Sequence, residues 1–294
     1  MDALRDPRLY QITVLGGLLA YGITALDFDI GPGQVALTLV SVLSMQWAWS
    51  RGRGLSRVEL RSALISGLSL CLLLRTDRPA LIVPLAALLT IGSKFVVRVR
   101  GKHVFNPTNI GLVALLLTAD GVWVSPGQWG NVAFFAVLMA CLGGLVAHRA
   151  LRSDVALAFV CTYAALLVSR SLYLGEPMAI PLHRLQSGAL LLFTFFMISD
   201  PRSTPDGRGA RLVFGALVAL GGWYVQFRLF RTNGLLWSLA ACAPIVPVLD
   251  WLWPGVRYTW PGTGRATGTV PVPVPASPPS SSFAPRPVAA ERFL

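Results

Sequence analysis

The chain has 294 residues, 54% of them apolar and only 13% charged, with a mean hydropathy of +0.62, whereas a soluble domain carries about a quarter charged residues. Its charges fall in short clusters between long apolar runs, which excludes an ordinary soluble enzyme surface and points to an all-α polytopic membrane protein facing lipid. The net charge of +12 does not indicate nucleic acid, because the basic residues are spread over many loops and no Lys/Arg stripe interleaves with aromatics.

In chain order, the start combines Asp2, Arg5, Asp6 and Arg8 and lacks a small-residue cleavage site, so the first apolar run is expected to stay as the first span. Apolar runs follow at about 9–26, 35–49, 62–74, 79–97, 108–119, 130–147, 153–169, 187–199, 212–227 and 234–253, ten in all. A straight helix needs about 17 to 20 apolar residues to cross the hydrocarbon. The runs at 62–74, 108–119 and 187–199 fall short of that and are expected to be broken or re-entrant helices. Irregular backbone survives at membrane depth only where protein buries it or a cavity meets it, so short segments mark where a site could form. With ten crossings and the N terminus inside, 18 Lys/Arg lie on the inner side and 6 in the outer loops. Both termini are therefore expected in the cytoplasm of a cell (inner) membrane protein. From Pro254 onward Pro, Ser, Ala and Gly dominate, and 254–294 is expected to be a disordered tail beyond a membrane domain of 1–253.

The two halves of the membrane domain, about 9–119 and 130–253, resemble each other. The third run of each is short and ends in a charged cluster, LCLLLRTDRP at 70–79 and FFMISDPRSTP at 195–205, with Asp77 and Asp200 in matching places. KFVVRVRGKHVFNPTNIGLVALLL at 94–117 likewise echoes YVQFRLFRTNGLLWSLAACA at 224–243. Five segments per half is odd, so two such repeats must insert with opposite topology. That arrangement places sites near the midplane between the repeats.

Two stretches hold candidate chemistry. In RGKHVFNPTNIG at 100–111, Asn106 precedes Pro107, and Asn106, Thr108 or Asn109 can cap the next helix. Free N–H groups at that helix start, with Lys102 nearby, suit a phosphate or carboxylate. The other reading of the same residues is a helix start whose cap is already satisfied. In ISDPRSTPDGRGARLVFG at 198–215, Asp200 closes a short membrane segment and needs a partner, either Arg202 or an arginine of the other repeat, unless it simply caps a surface turn. The cluster Arg228, Arg231 and Asn233 reads as an anion contact or as a solvated loop. His103 can titrate near neutrality but reads as an interfacial loop residue, with His148 and His183 weaker still. Cys71, Cys141, Cys161 and Cys242 all lie inside apolar runs without metal or disulfide spacing and read as small hydrophobes. No catalytic triad, carboxylate pair, P-loop or dinucleotide fingerprint is present.

The strings GKHVFNPTNIGLVALLL, FFMISDPRSTPDGRGARLVFGALVA and NGLLWSLAACAPIVPVLD, in this order and spacing, resemble the RnfD/NqrB family of membrane subunits. The resemblance covers most of residues 60–253 and is nearest in style to the short RnfD-like proteins of enediyne gene clusters, the UnbU type. It implies a ten-helix inverted-repeat fold that holds flavin and passes electrons through the membrane toward redox partner subunits. Long members attach FMN through its phosphate to the threonine of an S/T-G-A-T motif. The nearest string here is Ser187, Gly188, Ala189, Leu190, without that threonine, so covalent FMN is not expected. The resemblance then implies noncovalent FMN or riboflavin near Lys102, Asn106, Thr108, Asn109, Asp200, Arg202 and Thr204. It implies a subunit supporting electron transfer, serving an enediyne-type biosynthetic oxidation. The alternative is a channel or transporter for a small solute or natural product on the same fold.

Overall fold

The structure, a computed structural model, describes residues 6–125, 142–148 and 150–259. Most of the apolar run at 130–147, Cys141 and all but the first residues of the tail lie outside the described residues.

Proline and cap residues set most helix starts. Helix α1 (Pro7–Ala25) opens on Asp6, whose carboxylate accepts from the Arg8 N–H at 3.0 Å, and α2 (Pro32–Gly52) also opens on a proline. Helix α3 (Leu60–Leu73) runs directly into β1 (Leu74–Thr76), and α4 (Pro79–Val96) follows. A small hairpin, β2 (Arg98–Val99) and β3 (Lys102–His103), turns through Arg100 and Gly101, both at positive φ. After α5 (Pro107–Thr118), β4 (Val122–Val124) pairs antiparallel with β1. Residues 142–148 are helical.

Helix α6 (Ser153–Leu174) stops at Gly175 in the left-handed conformation. Next come α7 (Ala179–Leu185) and α8 (Gly188–Leu192), the latter widening into a π-helical turn over Phe193–Met197. Helix α9 (Arg208–Phe227) precedes α10 (Gly234–Cys242), a 3-10 turn (Ala243–Ile245) and α11 (Val246–Leu252). Pro244 and Pro247 cannot donate to the helical ladder, which accounts for the break between α10 and α11.

Four stretches are long and apolar enough to cross a membrane: Pro79–Val96, Ser153–Leu174, Arg208–Phe227 and Gly234–Leu252. Three shorter apolar helices, Leu60–Leu73, Pro107–Thr118 and Gly188–Met197, coincide with the three runs the sequence marks as too short. The protein is a helical, multi-pass membrane protein.

Helix association in lipid relies on close packing and small residues rather than on expulsion of water. The main layers are α2 with α4, α4 with α5, α6 with α9, and α9 with α10, while α1 leans on α3. At the α4/α5 contact a Cβ on Gly111 would lie 3.2 Å from the Thr90 backbone and closer still to its hydroxyl. At the α9/α10 contact a Cβ on Gly234 would lie 2.7 Å from the Gly222 carbonyl. The glycine that follows an asparagine in both halves therefore lets α5 and α10 each lie directly on the helix before it.

Candidate functional site

The α5 start and the end of the π-helical turn meet inside the protein. Asn106 caps α5 by accepting from the Asn109 N–H at 3.0 Å, and its Nδ2 donates to the Met197 carbonyl at 3.1 Å. A π-helical turn displaces its carbonyls from the regular ladder, which is what makes the Met197 oxygen available. Asn109 Nδ2 donates to the Leu236 carbonyl in α10 at 3.2 Å. The two asparagines of NPTN thus pin α5 to two separate elements of the second half.

Below this junction is a cavity of ≈ 40 Å³ lined in part by Ser66, Ser69, Asn106 and Thr108 and by four ionisable side chains, Lys94, His103, Asp200 and Arg202. Lys94 projects from α4 and donates from Nζ to the Ser62 carbonyl at 3.1 Å and to Ser62 Oγ at 3.2 Å. Asp200 follows the π-helical turn. Its two carboxylate oxygens accept from the Arg202 N–H at 3.2 Å and from Ser203 Oγ at 2.9 Å. His103 Nε2 lies 3.7 Å from Asp200 Oδ2, too far for a hydrogen bond and close enough for charge to be felt.

Burial works to raise the Asp200 pKa, but the His103 side chain beside it, with the Arg202 N–H and Ser203 hydroxyl, outweighs burial and holds it at about 2. Burial pushes the His103 imidazole down, against the opposing pull of Asp200. Asp200 is therefore an anion at neutral pH and His103 is neutral.

The other expected site residues fall beside the cavity. Thr204 is buried; its hydroxyl donates to the Asp200 carbonyl at 3.0 Å and accepts from Arg152 Nε at 2.9 Å. Lys102 does not face the cavity lining of Asn106 and Asp200. Its Nζ sits 3.0 Å from Asp206 and 2.9 Å from Asp250, tying the hairpin to the loop before α9 and to α11. The first tail residues return to the same end of the molecule, where Arg257 Nη1 donates to the Arg100 carbonyl at 2.8 Å. Asp77 is exposed, unlike its sequence counterpart Asp200, and Arg75 is the buried charge of that strand, donating to the Cys71 and Leu74 carbonyls. Lys94 is the residue that pattern reading passed over; a lone lysine inside an apolar run was its signal.

A second, larger cavity of ≈ 310 Å³ lies elsewhere in the second half, bordered by Ser187, Ala189 and Leu190 and by Tyr163, Arg184, Gln226, Arg231 and Asn233. Tyr163 donates its hydroxyl to Gln226 at 2.7 Å. Of the cluster Arg228, Arg231 and Asn233, the last two reach this cavity, whereas Arg228 lies over the Trp223 ring at 5.9 Å. Cofactor pockets start at about 300 Å³, and a water needs roughly 10–15 Å³ of such space. The larger cavity has room for a fused three-ring system. The smaller one has room for a few waters or one small ion and does not fit a flavin.

The fold and these cavities define a multi-pass helical membrane protein with a charged interior site and a separate cofactor-sized cavity. Residues 119–256 match the model of the NQR2, RnfD, RnfE family. The chain is also 31% identical over 135 residues to the RnfD-type component, the D polypeptide, of the ion-translocating oxidoreductase complex from Escherichia coli O9:H4 (strain HS), Escherichia coli (strain K12) and, at the same identity, Shigella boydii serotype 18. That alignment takes in 45% of this chain and 37% of each relative, so the match spans little more than a third of the relatives' length. The chain is a member of the RnfD/NqrB family.

Proposed function

We propose that this chain supports electron transfer across the membrane as an RnfD-like component working with redox partner subunits, with a noncovalently held flavin. The observation that carries this reading is the coincidence of the family match over 119–256 with a ≈ 310 Å³ cavity bordered by Ser187, Ala189 and Leu190. These are the residues nearest in sequence to the family's attachment motif, and the threonine is replaced by Leu190. Arg184 and Arg231 would take the phosphate of FMN, and Gln226 and Asn233 would meet polar edges of its rings. A bound flavin supplies one- and two-electron transfer chemistry. The chain's own contribution is to position it on rigid helices and exclude water with Leu190, Phe193 and Leu235. The resemblance to enediyne-cluster proteins is what supports a biosynthetic oxidation as the use of these electrons.

The accompanying architecture is ten segments in two inverted repeats with both termini in the cytoplasm. It is supported by the shared packing order, second on fourth and fourth on fifth, in the two halves, and by the excess of Lys/Arg in the loops assigned inside.

The test is to purify the protein in detergent, record visible absorption and precipitate it with acid. Flavin bands that follow the protein and appear in the acid supernatant are expected, and Arg231→Ala is expected to lower flavin occupancy several-fold. A colourless protein overturns the reading, and solute uptake by proteoliposomes of that colourless protein would favour the channel alternative.

A further inference from the structure

The ≈ 40 Å³ cavity contains more positive charge and more hydrogen-bond donors than its own side chains use. Lys94 has no carboxylate within ion-pair distance among the described residues; its Nζ is held only by Ser62. Among the described residues the Arg202 guanidinium has no hydrogen bond and no ion pair, although its backbone N–H serves Asp200. His103 is 8% exposed and its Nε2 has no hydrogen-bond partner. Asp200 supplies the one carboxylate in the lining, and both its oxygens are already hydrogen-bonded. Two cations against one carboxylate leave a single positive charge. The positive end of the α5 dipole, at Pro107 and Thr108, adds to it. A buried imbalance of this kind is costly unless something neutralises it.

We propose that this cavity binds a compact monovalent anion, of chloride or formate size, between Lys94, Arg202 and the His103 Nε2–H. The volume excludes larger organic anions, and the single net charge disfavours a dianion such as hydrogen phosphate. A cation would have to displace the Asp200 hydrogen bonds while facing Lys94 and Arg202. The anion site does not depend on the flavin, whose proposed cavity is elsewhere.

The whole chain in nanodiscs, exchanged into gluconate buffer to present only a bulky anion, is titrated with sodium formate and separately with sodium chloride by calorimetry. Thermal unfolding is followed in parallel, and flavin absorbance on the same samples keeps the two proposals separately readable. One saturable site per chain is expected. The unfolding temperature should rise with anion concentration, as for any ligand of the native state. Lys94→Gln and Arg202→Gln should each weaken binding tenfold or more, and His103→Phe should weaken it several-fold. If Lys94→Gln does not fold, Arg202→Gln, with its partly exposed side chain, carries the test. Saturation by formate alone or by both anions supports the site. Absence of binding by either anion, or unchanged affinity in Arg202→Gln, overturns it and leaves a water-filled cavity.

Discussion

Lys102 offers the sharpest test of the packing. The sequence presents it as an anion ligand beside NPTN, whereas the structure uses it to join two acidic residues distant in the chain. Its side chain is 9% exposed, Asp206 is 9% and Asp250 17% exposed, with N–O separations of 3.0 and 2.9 Å. Lys102→Met keeps the aliphatic stem and removes the charge, leaving two partly buried carboxylates facing each other. Removing one member of a buried pair costs about 3–5 kcal/mol. For a domain of this size each kcal/mol moves the midpoint by about 2–4 °C, so the expected loss is about 6–20 °C. The assay is reversible unfolding in mixed micelles with increasing SDS fraction, alongside a thermal scan. Adding Asp250→Asn to Lys102→Met should recover part of the loss, because one uncompensated carboxylate is removed. A Lys102→Met variant within about 1 kcal/mol of the parent would refute the reasoning and return Lys102 to the ligand role.

Other outcomes follow from the same geometry. Gly111→Ala should destabilise by about 1–3 kcal/mol through overpacking, and Thr90→Ala on that background should restore part of it by clearing the hydroxyl, as measured in the same unfolding assay. Asn106→Ala removes both the α5 cap and the bond to the Met197 carbonyl. The cap alone is worth about 1 kcal/mol, so a larger total loss is expected, and a loss below that would show the cross-link to be idle. The Asp200 carboxyl is held at about 2 against an ordinary 3.8. A depressed acid stabilises the fold above its unfolded pKa and loses that contribution as pH falls through the folded value. It should therefore supply about 2 kcal/mol above pH ~4 that disappears toward pH ~2. Asp200→Asn should flatten that acid limb, and an unchanged pH profile would reject the assignment.

Much of the architecture is legible in the residues because bilayer thickness imposes length. The described helices fall on the apolar runs, and the three runs too short to span are the three short helices. The Asn–Gly pairs at 109–111 and 233–234 also carry meaning that pattern can reach, since each glycine sits where a helix needs close approach. The Lys102 assignment was not legible, because its partners are Asp206 and Asp250, more than a hundred residues away, and sequence proximity favoured NPTN instead. The matched pair Asp77 and Asp200 diverged for a related reason: similar strings meet different neighbours, and only Asp200 is folded against a histidine from the other half. Cavity size is a property of three-dimensional packing, so the sequence placed the flavin by motif, beside Asn106, where the volume is too small.

The widened turn at Phe193–Met197 fixes the azimuth of everything that follows it. Removing one residue there would let the segment wind as an ordinary α-helix, rotating the chain beyond it by about 100° about the axis. The Met197 oxygen would return to its own helix, leaving the Asn106 amide without an acceptor, and Asp200 would swing away from His103. A single-residue deletion in this pentapeptide is thus expected to dismantle the ionisable chamber while sparing helix length, which makes the extra residue a spacer whose count, more than its chemistry, is constrained.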